Sequence, residues 1–394
     1  MTPSPAARLT GPVARAAGRV EAVDVLRGFA LGGICLVNAQ VIAGTFTPSA
    51  RLAAGPVDHA AEWLVTLFLT TKFYLLFAFL FGYSFTLMTR AAERRGADVA
   101  RVYGRRLLGL LLIGCGHAVL LYPGDILMTY AVLGLPLFAV RGWRPRRALR
   151  AAALLIAALT AIFLVIALCA LYTSPAEGGL GALGADNVAA YRGGPLDIVG
   201  AHIRQFRAEL VGAVLYAGHL FAGFLAGMAV GKWRLLEDPY RHTAALRRLA
   251  VGGLAVGLPG GVFMAMCENG PLDARYFYLG RAVGIVTAPA QAAACGCLLL
   301  LWTRAHGGWV RAALARAGRL ALTNYLSQSL VLALLFTGYG LGWYGRVGAA
   351  GVTVCGLSLY TAQLLLSGPI LARYGSGPAE RLLRRLTYGP AARP

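Results

Sequence analysis

The sequence predicts an all-α membrane protein with about ten transmembrane helices and with both termini in the cytoplasm. Of its 394 residues, 58% are hydrophobic and only 13% are charged, and the mean hydropathy is +0.64. This composition excludes a soluble globular domain, and the apolar stretches have the length of about 20 residues that a bilayer-crossing helix needs. A net charge of +21 would indicate nucleic-acid binding in a soluble protein, so its distribution along the chain decides what it means.

Ten apolar stretches are separated by charged residues and by Pro and Gly, which end helices. The predicted spans are at 24–46, 70–89, 107–122, 125–141, 149–172, 211–231, 245–266, 279–302, 317–337 and 347–371. The third and fourth form a tight hairpin across Tyr122-Pro-Gly-Asp125. The Gly-rich connection at 173–210 is predicted to be extracytoplasmic, and a connection of this length without a span of its own is commonly a functional cover or disordered.

The positive residues alternate between connections in the way that the positive-inside rule expects. With both termini inside, the cytoplasmic segments hold 28 of the 37 Lys and Arg residues, the outer segments hold eight, and Arg27 lies within the first span. The segments 1–23 and 372–394 are predicted to be basic cytoplasmic tails, and we read no signal peptide in the first. The bilayer is therefore the expected environment, and the charge requires no nucleic acid.

The seven cysteines lie in or beside apolar runs. They show neither a CxxC pair nor the His/Cys spacing of a metal site. We therefore predict that they pack within the helices and that the protein holds no metal.

Polar side chains inside the spans are the candidate functional residues, because burying them in a bilayer is costly. In the first span, Arg27 and Asn38 are eleven residues apart. This spacing is close to three helical turns, or roughly 16 Å, so both side chains share one face at two depths.

The predicted orientation of the spans sorts the polar residues into two groups. The outer group is Asn38, His117 and Asp125, and the inner group is Arg27, Asn324 and Gln328. Polar groups at both depths suggest a ligand that extends through the bilayer.

The same residues also have structural explanations, which stay open at this point. Arg27 could pair with Asp24, and Asn38 and Gln328 could form interhelical hydrogen bonds. Asp125 could cap a helix, and His117 could bond to Asp125 or to a carbonyl. Lys72 could snorkel to the membrane surface.

Several motifs, in order along nearly the whole chain, resemble the YeiB family of bacterial membrane proteins, a domain of unknown function. They are Asp24-Val-Leu-Arg-Gly-Phe-Ala with Asn38, Lys72 to Gly82, Arg105 to His117, Gly124-Asp125, Gly318 to Gln328, and Gly377 with Glu380-Arg-Leu-Leu-Arg. That family is grouped by similarity with membrane acyltransferases of the acyltransferase-3 and heparan-α-glucosaminide acetyltransferase types. Those relatives use a cytosolic acyl-CoA to acylate a hydroxyl or amine compound, often on the outer face.

The resemblance implies an O- or N-acyltransferase with acyl-CoA as co-substrate and a small metabolite or glycan as acceptor. By this resemblance His117 would be the general base, with His59 as second choice, and Asp125 would orient the base. Asn38 would donate to the oxyanion, and Arg27 would bind phosphate. Lys72, Asn324 and Gln328 would contact the donor or the substrate. One departure affects the chemistry: acyltransferase-3 proteins have a His eleven residues after the first-helix Arg, where this chain has Asn38.

A transporter or exporter of a small metabolite is the alternative function, because polar groups at two depths would also line a substrate path. The sequence shows no paired repeat, which counts against transport. The Arg/Ala/Gly-rich composition suggests a GC-rich bacterial genome and a tailoring enzyme of secondary metabolism. We expect the protein in the bacterial inner membrane, and we leave open whether it forms a homo-oligomer.

Overall fold

The computed structural model describes residues 20–47, 50, 53–172, 185–208 and 210–389, and every regular element within them is helical. The α-helices are α1 Glu21–Ala43, α2 Pro56–Phe68, α3 Lys72–Arg94, α4 Val99–Leu120, α5 Ile126–Ala139, α6 Pro145–Tyr172, α7 Ala185–Arg192, α8 Pro195–Ala208, α9 Leu210–Lys232, α10 Thr243–Asn269, α11 Phe277–His306, α12 Gly308–Arg319, α13 Ala321–Phe336, α14 Ala349–Tyr374 and α15 Pro378–Tyr388. Residues 1–19 and 390–394 of the predicted tails, and 173–184 of the predicted connection, lie outside the described residues.

Seven described segments are long and apolar enough to cross a bilayer, and they become eight if the bent pair α12–α13 is one span. The seven are α1, the α2–α3 segment, α6, α9, α10, α11 and α14. The helices at the predicted third and fourth spans, α4 and α5, are not among them, and α5 has only 14 residues. The structure thus supports a multi-pass helical membrane protein with fewer clear spans than the ten predicted.

The ninth predicted span, 317–337, is not one straight helix. It is divided at Leu320 into α12 and α13, whose axes differ by 82°. The bend lets α12 cross the start of α1 at very close range: a Cβ atom added to Gly318 would collide with the carbonyl oxygen of Asp24, and one added to Gly28 with that of Leu314. Only glycine allows two helix backbones to approach so closely.

The C-terminal segment also differs from the prediction, because part of the expected basic tail is the helix α15. The Glu380 carboxylate of α15 accepts hydrogen bonds from the backbone N–H groups of Leu322 (2.8 Å) and Thr323 (3.0 Å). These N–H groups belong to the first turn of α13 and have no partner within their own helix. Arg105 of α4 donates to the carbonyl oxygen of Leu386 at 3.0 Å. Both contacts attach α15 to the bundle.

The described part of the 173–210 connection is a folded cover built from α7 and α8. The Tyr191 ring at the end of α7 stacks on Tyr344 with centroids 4.5 Å apart, and its carbonyl accepts from Gly338 N–H at 2.8 Å. Arg192 donates twice to the carbonyl of Tyr344, at 2.8 and 2.6 Å. On α8, His202 Nδ1 lies 2.9 Å from the carbonyl of Val119.

Aromatic side chains fill the space between α3, α5 and α9. Phe81 stacks on Phe224 with centroids 4.6 Å apart, and Tyr130 meets both rings at 5.1 and 5.0 Å. In a bilayer such close packing replaces the hydrophobic effect as the force that holds helices together.

The helix ends gather at two opposite ends of the bundle. At one end, the start of α1, the end of α3, the connection after α9, the end of α11 and helix α12 line one cavity, and we call this the arginine-rich end. At the other end, Gly345 N–H donates to the carbonyl of Ala43 at the end of α1, and the α7–α8 cover packs on 337–348. Four of the segments that the charge pattern assigned to the cytoplasm, described here by residues 20–23, 90–94, 234–240 and 311–319, thus lie together.

Candidate functional site

A histidine and an aspartate face each other across the turn between α4 and α5. His117 Nδ1 lies 2.8 Å from Asp125 Oδ1, and the two residues are 4% and 6% exposed. The other carboxylate oxygen of Asp125 accepts the backbone N–H of Met128 at 2.7 Å and caps α5. The Pro-Gly break at 123–124 ends one helix and the cap begins the next, and together they hold the carboxylate against the imidazole.

Tyr325 of α13 completes this cluster from a distant part of the chain. Its hydroxyl lies 3.3 Å from Asp125 Oδ1, and its ring centroid is 5.0 Å from that of His117. The Tyr122 ring approaches His117 from the other side, with centroids 6.4 Å apart. Sequence reasoning missed Tyr325, although it lies inside the quoted stretch from Gly318 to Gln328, because nothing local shows that α13 packs against the α4–α5 turn.

The second imidazole nitrogen of His117 is free. Its Nε2 atom is buried and has no hydrogen-bond partner in the part of the chain that the structure describes. Buried polar atoms are almost always paired, so an unpaired one suggests a ligand or a catalytic role. With Nδ1 donating to the carboxylate, Nε2 is the basic nitrogen that can accept a proton from a ligand.

A cavity of about 280 Å³, here called the inner cavity, opens at the arginine-rich end. Four arginines line it: Arg27, Arg106, Arg319 and Arg384. Its walls also include Tyr325 and Ile126, the residue after Asp125. Tyr325 therefore contacts both the cavity and the His117–Asp125 pair.

At the opposite end, a void of about 10 Å³ lies between the cover and the bundle, and we call it the outer crevice. Tyr122, His202 and Tyr344 line it, and it has room for about one water molecule. Burial lowers the pKa of His202 below the ordinary 6.5, the hydrogen bond to Val119 opposes this shift, and proximity to His117 adds to it. His117 thus has one ring neighbour, Tyr325, on the inner cavity and another, Tyr122, on the outer crevice.

The remaining predicted site residues separate into two sets. Arg27 lines the inner cavity while it donates to Asp24 (2.8 Å) and to Ser84 (2.7 Å), so the expected ion pair and the expected site position are both present. Asn38 is half-buried in α1 and, among the described residues, is not a hydrogen-bond partner of the His117–Asp125 pair. The hydrogen bonds of the pair therefore do not support the predicted outer group of Asn38, His117 and Asp125.

Lys72 and His59 also lie away from the pair. Lys72 is 1% exposed and donates to the carbonyl of Thr66 at 2.9 Å, so it does not snorkel to the surface and is not among the residues that line the inner cavity. The His59 side chain is 57% exposed and stands 3.9 Å from Glu62, which leaves His117 as the buried histidine paired with an acid.

Asn324 and Gln328 connect α13 to α14 and lie outside the cavity that we expected them to line. Gln328 donates to Gln363 Oε1 at 2.7 Å, Gln363 donates to the carbonyl of Asn324 at 3.0 Å, and Asn324 donates to Ser367 at 3.3 Å. Both residues therefore face α14. Their interhelical hydrogen bonds match the structural explanation given above.

Comparison with known proteins agrees with the motifs. A family model described as "Protein of unknown function (DUF418)" matches residues 230–390, which include Arg319, Tyr325 and Arg384 of the inner cavity. An uncharacterized protein YxaH of Bacillus subtilis (strain 168) is 30% identical over 94% of each chain. Uncharacterized protein YeiB of Escherichia coli (strain K12) is 28% identical over 94% of this chain and 97% of its own. Because this similarity extends over nearly the full length of the chains, the protein belongs to the YeiB family, also described as DUF418.

Proposed function

We propose that the protein is an integral-membrane acyltransferase that moves an acyl group from a cytosolic acyl-CoA to a hydroxyl or amine of a small metabolite or glycan. The observation that supports this most is the buried His117–Asp125 pair, whose free Nε2 atom has a neighbour, Tyr325, on the wall of an arginine-lined cavity. A histidine oriented by a carboxylate is a common general base at neutral pH.

In the proposed reaction, Nε2 of His117 takes the proton from the acceptor hydroxyl or amine. The acceptor oxygen or nitrogen attacks the thioester carbonyl carbon, the carbon–sulfur bond breaks, and the departing CoA thiolate receives the proton back from His117. Asp125 keeps Nδ1 protonated and stabilises the imidazolium that forms in between, since it accepts the Nδ1–H bond at 2.8 Å.

The donor would enter from the arginine-rich end. Arg27, Arg106, Arg319 and Arg384 line the inner cavity, and guanidinium groups bind phosphates with paired hydrogen bonds. We assign stabilisation of the oxyanion to the Tyr325 hydroxyl rather than to Asn38, because Tyr325 lines the cavity. Its O–H, which donates to Asp125 Oδ1 at 3.3 Å, would turn from the carboxylate to the oxyanion during the reaction.

The proposal includes ten spans, both termini in the cytoplasm, and residence in the bacterial inner membrane. The distribution of 28 of the 37 Lys and Arg residues on one set of connections supports this orientation. If α4, α5 and the bent pair α12–α13 also cross the bilayer, the seven clear segments become ten.

The His117→Ala variant tests the proposed base. We expect it to remain folded in detergent and to transfer acetyl groups from acetyl-CoA to a panel of sugars and amines about 10²–10⁴-fold more slowly than the unchanged protein. The measurement is release of free CoA thiol together with mass-spectrometric detection of the acylated acceptor. His59→Ala, at the exposed histidine, is the matched control and should retain full turnover. Unchanged turnover by His117→Ala would eliminate the mechanism.

Transport of a small metabolite is the second candidate function. It is favoured by the position of His117 between one neighbour on the inner cavity and one on the outer crevice. A transporter would move an unmodified solute across proteoliposomes without acyl-CoA, whereas the proposed enzyme would require the donor and release CoA.

A further inference from the structure

A second and larger cavity opens at the arginine-rich end, and we call it the arginine vestibule. Its volume is about 920 Å³, against about 280 Å³ for the inner cavity. Arg319 lines both cavities, while Asp24 and Arg27, three residues apart on α1, line the vestibule and the inner cavity respectively. The vestibule therefore lies beside the candidate site and is not part of it.

Arginines dominate its walls. The arginines that line it are Arg90, Arg94, Arg234, Arg311, Arg316 and Arg319. Four acids also line it, and two of them form ion pairs within the vestibule: Glu237 with Arg90 at 2.9 Å, and Glu21 with Arg311 at 3.2 Å. A third acid, Asp24, pairs with Arg27 at 2.8 Å. The walls keep an excess of positive charge after these pairs.

Two of the arginines have no acidic partner among the described residues. Arg94 is exposed at the end of α3, and Arg316 of α12 has its Nε atom buried without a hydrogen-bond partner. A buried N–H of a charged group costs free energy when it is left unpaired. The Arg316 side chain as a whole is half-buried and lines the vestibule, so its terminal N–H groups can meet a phosphate there. Guanidinium groups form strong charge-assisted bonds to phosphate.

The volume is suited to a whole nucleotide, since pockets for small molecules and cofactors measure about 300–1,000 Å³. Tyr240 and Leu236 add aromatic and apolar surface for a base. We infer that the arginine vestibule binds a phosphorylated nucleotide from the cytosol, with Arg94 and Arg316 as phosphate contacts. This rests on the proposed function in one respect: the nucleotide is assigned to the acyl-CoA donor, whose pyrophosphate would extend past the shared Arg319 into the inner cavity.

The test uses the full chain in nanodiscs of phosphatidylcholine, with adenosine 3′,5′-bisphosphate as the probe for the CoA nucleotide and pyrophosphate as a second probe. Calorimetry should show saturable binding that weakens with added salt. The double variant Arg94→Gln/Arg316→Gln should bind at least about tenfold more weakly, because two charge-assisted contacts are lost. Arg247→Gln/Arg248→Gln is the matched control: it removes the same charge from two exposed arginines of α10 that do not line the vestibule.

Two outcomes would overturn the inference. One is absence of saturable nucleotide binding, or equal loss of binding in the control variant. The other is displacement of the nucleotide by nanodiscs that contain phosphatidylglycerol, which would identify the vestibule as a site for lipid headgroups. The measurement does not depend on turnover, so nucleotide binding without acyl transfer would refute the proposed function and leave the vestibule site intact.

Discussion

Asp125 has two roles at one position, because one carboxylate oxygen bonds His117 and the other caps α5. The cap needs only an acceptor at the start of the helix, and asparagine provides that nearly as well as aspartate. The bond to His117 differs, since it also uses the negative charge to stabilise a protonated imidazole. One substitution can therefore separate the two roles.

We expect Asp125→Asn to lower turnover by about 10²-fold or more while the melting temperature in detergent changes little. The amide retains the cap but removes the charge that favours the imidazolium and fixes the ring tautomer. Acyl transfer and thermal unfolding, measured on the same preparation, check both parts. Full turnover in this variant would show that the pair is structural only.

The candidate site could be predicted from the sequence where its members are close along the chain. His117 and Asp125 are eight residues apart across a turn whose Pro and Gly are visible in the sequence, so their contact followed from the hairpin. Tyr325 joins them across 200 residues, and Arg319 and Arg384 join Arg27 from other helices. Contacts of that kind depend on helix packing, which hydrophobic periodicity does not specify.

At the scale of helices, α15 is the element that the sequence least suggested. Its basic, short stretch looks like a tail, yet Glu380 supplies the cap that the broken α12–α13 pair needs. The bend itself was hidden because α12 and α13 are joined through Leu320 without a Pro, so that the apolar pattern continues through it. The helices α1, α6, α9, α10, α11 and α14, in contrast, begin and end within about four residues of the predicted spans.

Glu380→Gln should reduce stability by about 1–3 kcal/mol, because a carboxylate that accepts two backbone N–H groups and a hydroxyl is replaced by an amide. The expected readout is a lower melting temperature in detergent and faster amide exchange at the start of α13. Glu93→Gln, at an exposed residue of α3, is the control. Equal stability of the two variants would contradict the capping role.

Docking of α8 should depend on pH through His202. Burial lowers its pKa below the ordinary 6.5, so the undocked helix binds more protons than the docked one. The docking free energy is therefore complete above pH 6.5 and decreases as the pH falls below that value. Hydrogen exchange of α8 should be faster at pH 5.5 than at pH 7.5, and His202→Gln should show no such difference.

For the whole molecule, the two ends of the bundle differ in charge, and this difference predicts its orientation. A green fluorescent protein fused after 389 should fluoresce, and alkaline phosphatase inserted at 193–194 in the α7–α8 cover should be active. The cover and the vestibule lie at opposite ends of the bundle, so both reporters test whether the arginine-rich end faces the cytoplasm. Absence of fluorescence after 389 together with inactive phosphatase in the cover would reverse the assignment of the donor to the arginine-rich end.

The short helix α5 affects the lipids around the site. Its 14 residues rise only roughly 21 Å, which is less than the roughly 30 Å of a bilayer's hydrocarbon core. If α5 crosses the bilayer as we propose, lipids beside it must compress or water must enter to cover this hydrophobic mismatch. Acyl chain length in the surrounding membrane should therefore tune the protein, with thinner bilayers shortening the distance between the aqueous phases on the two sides of His117.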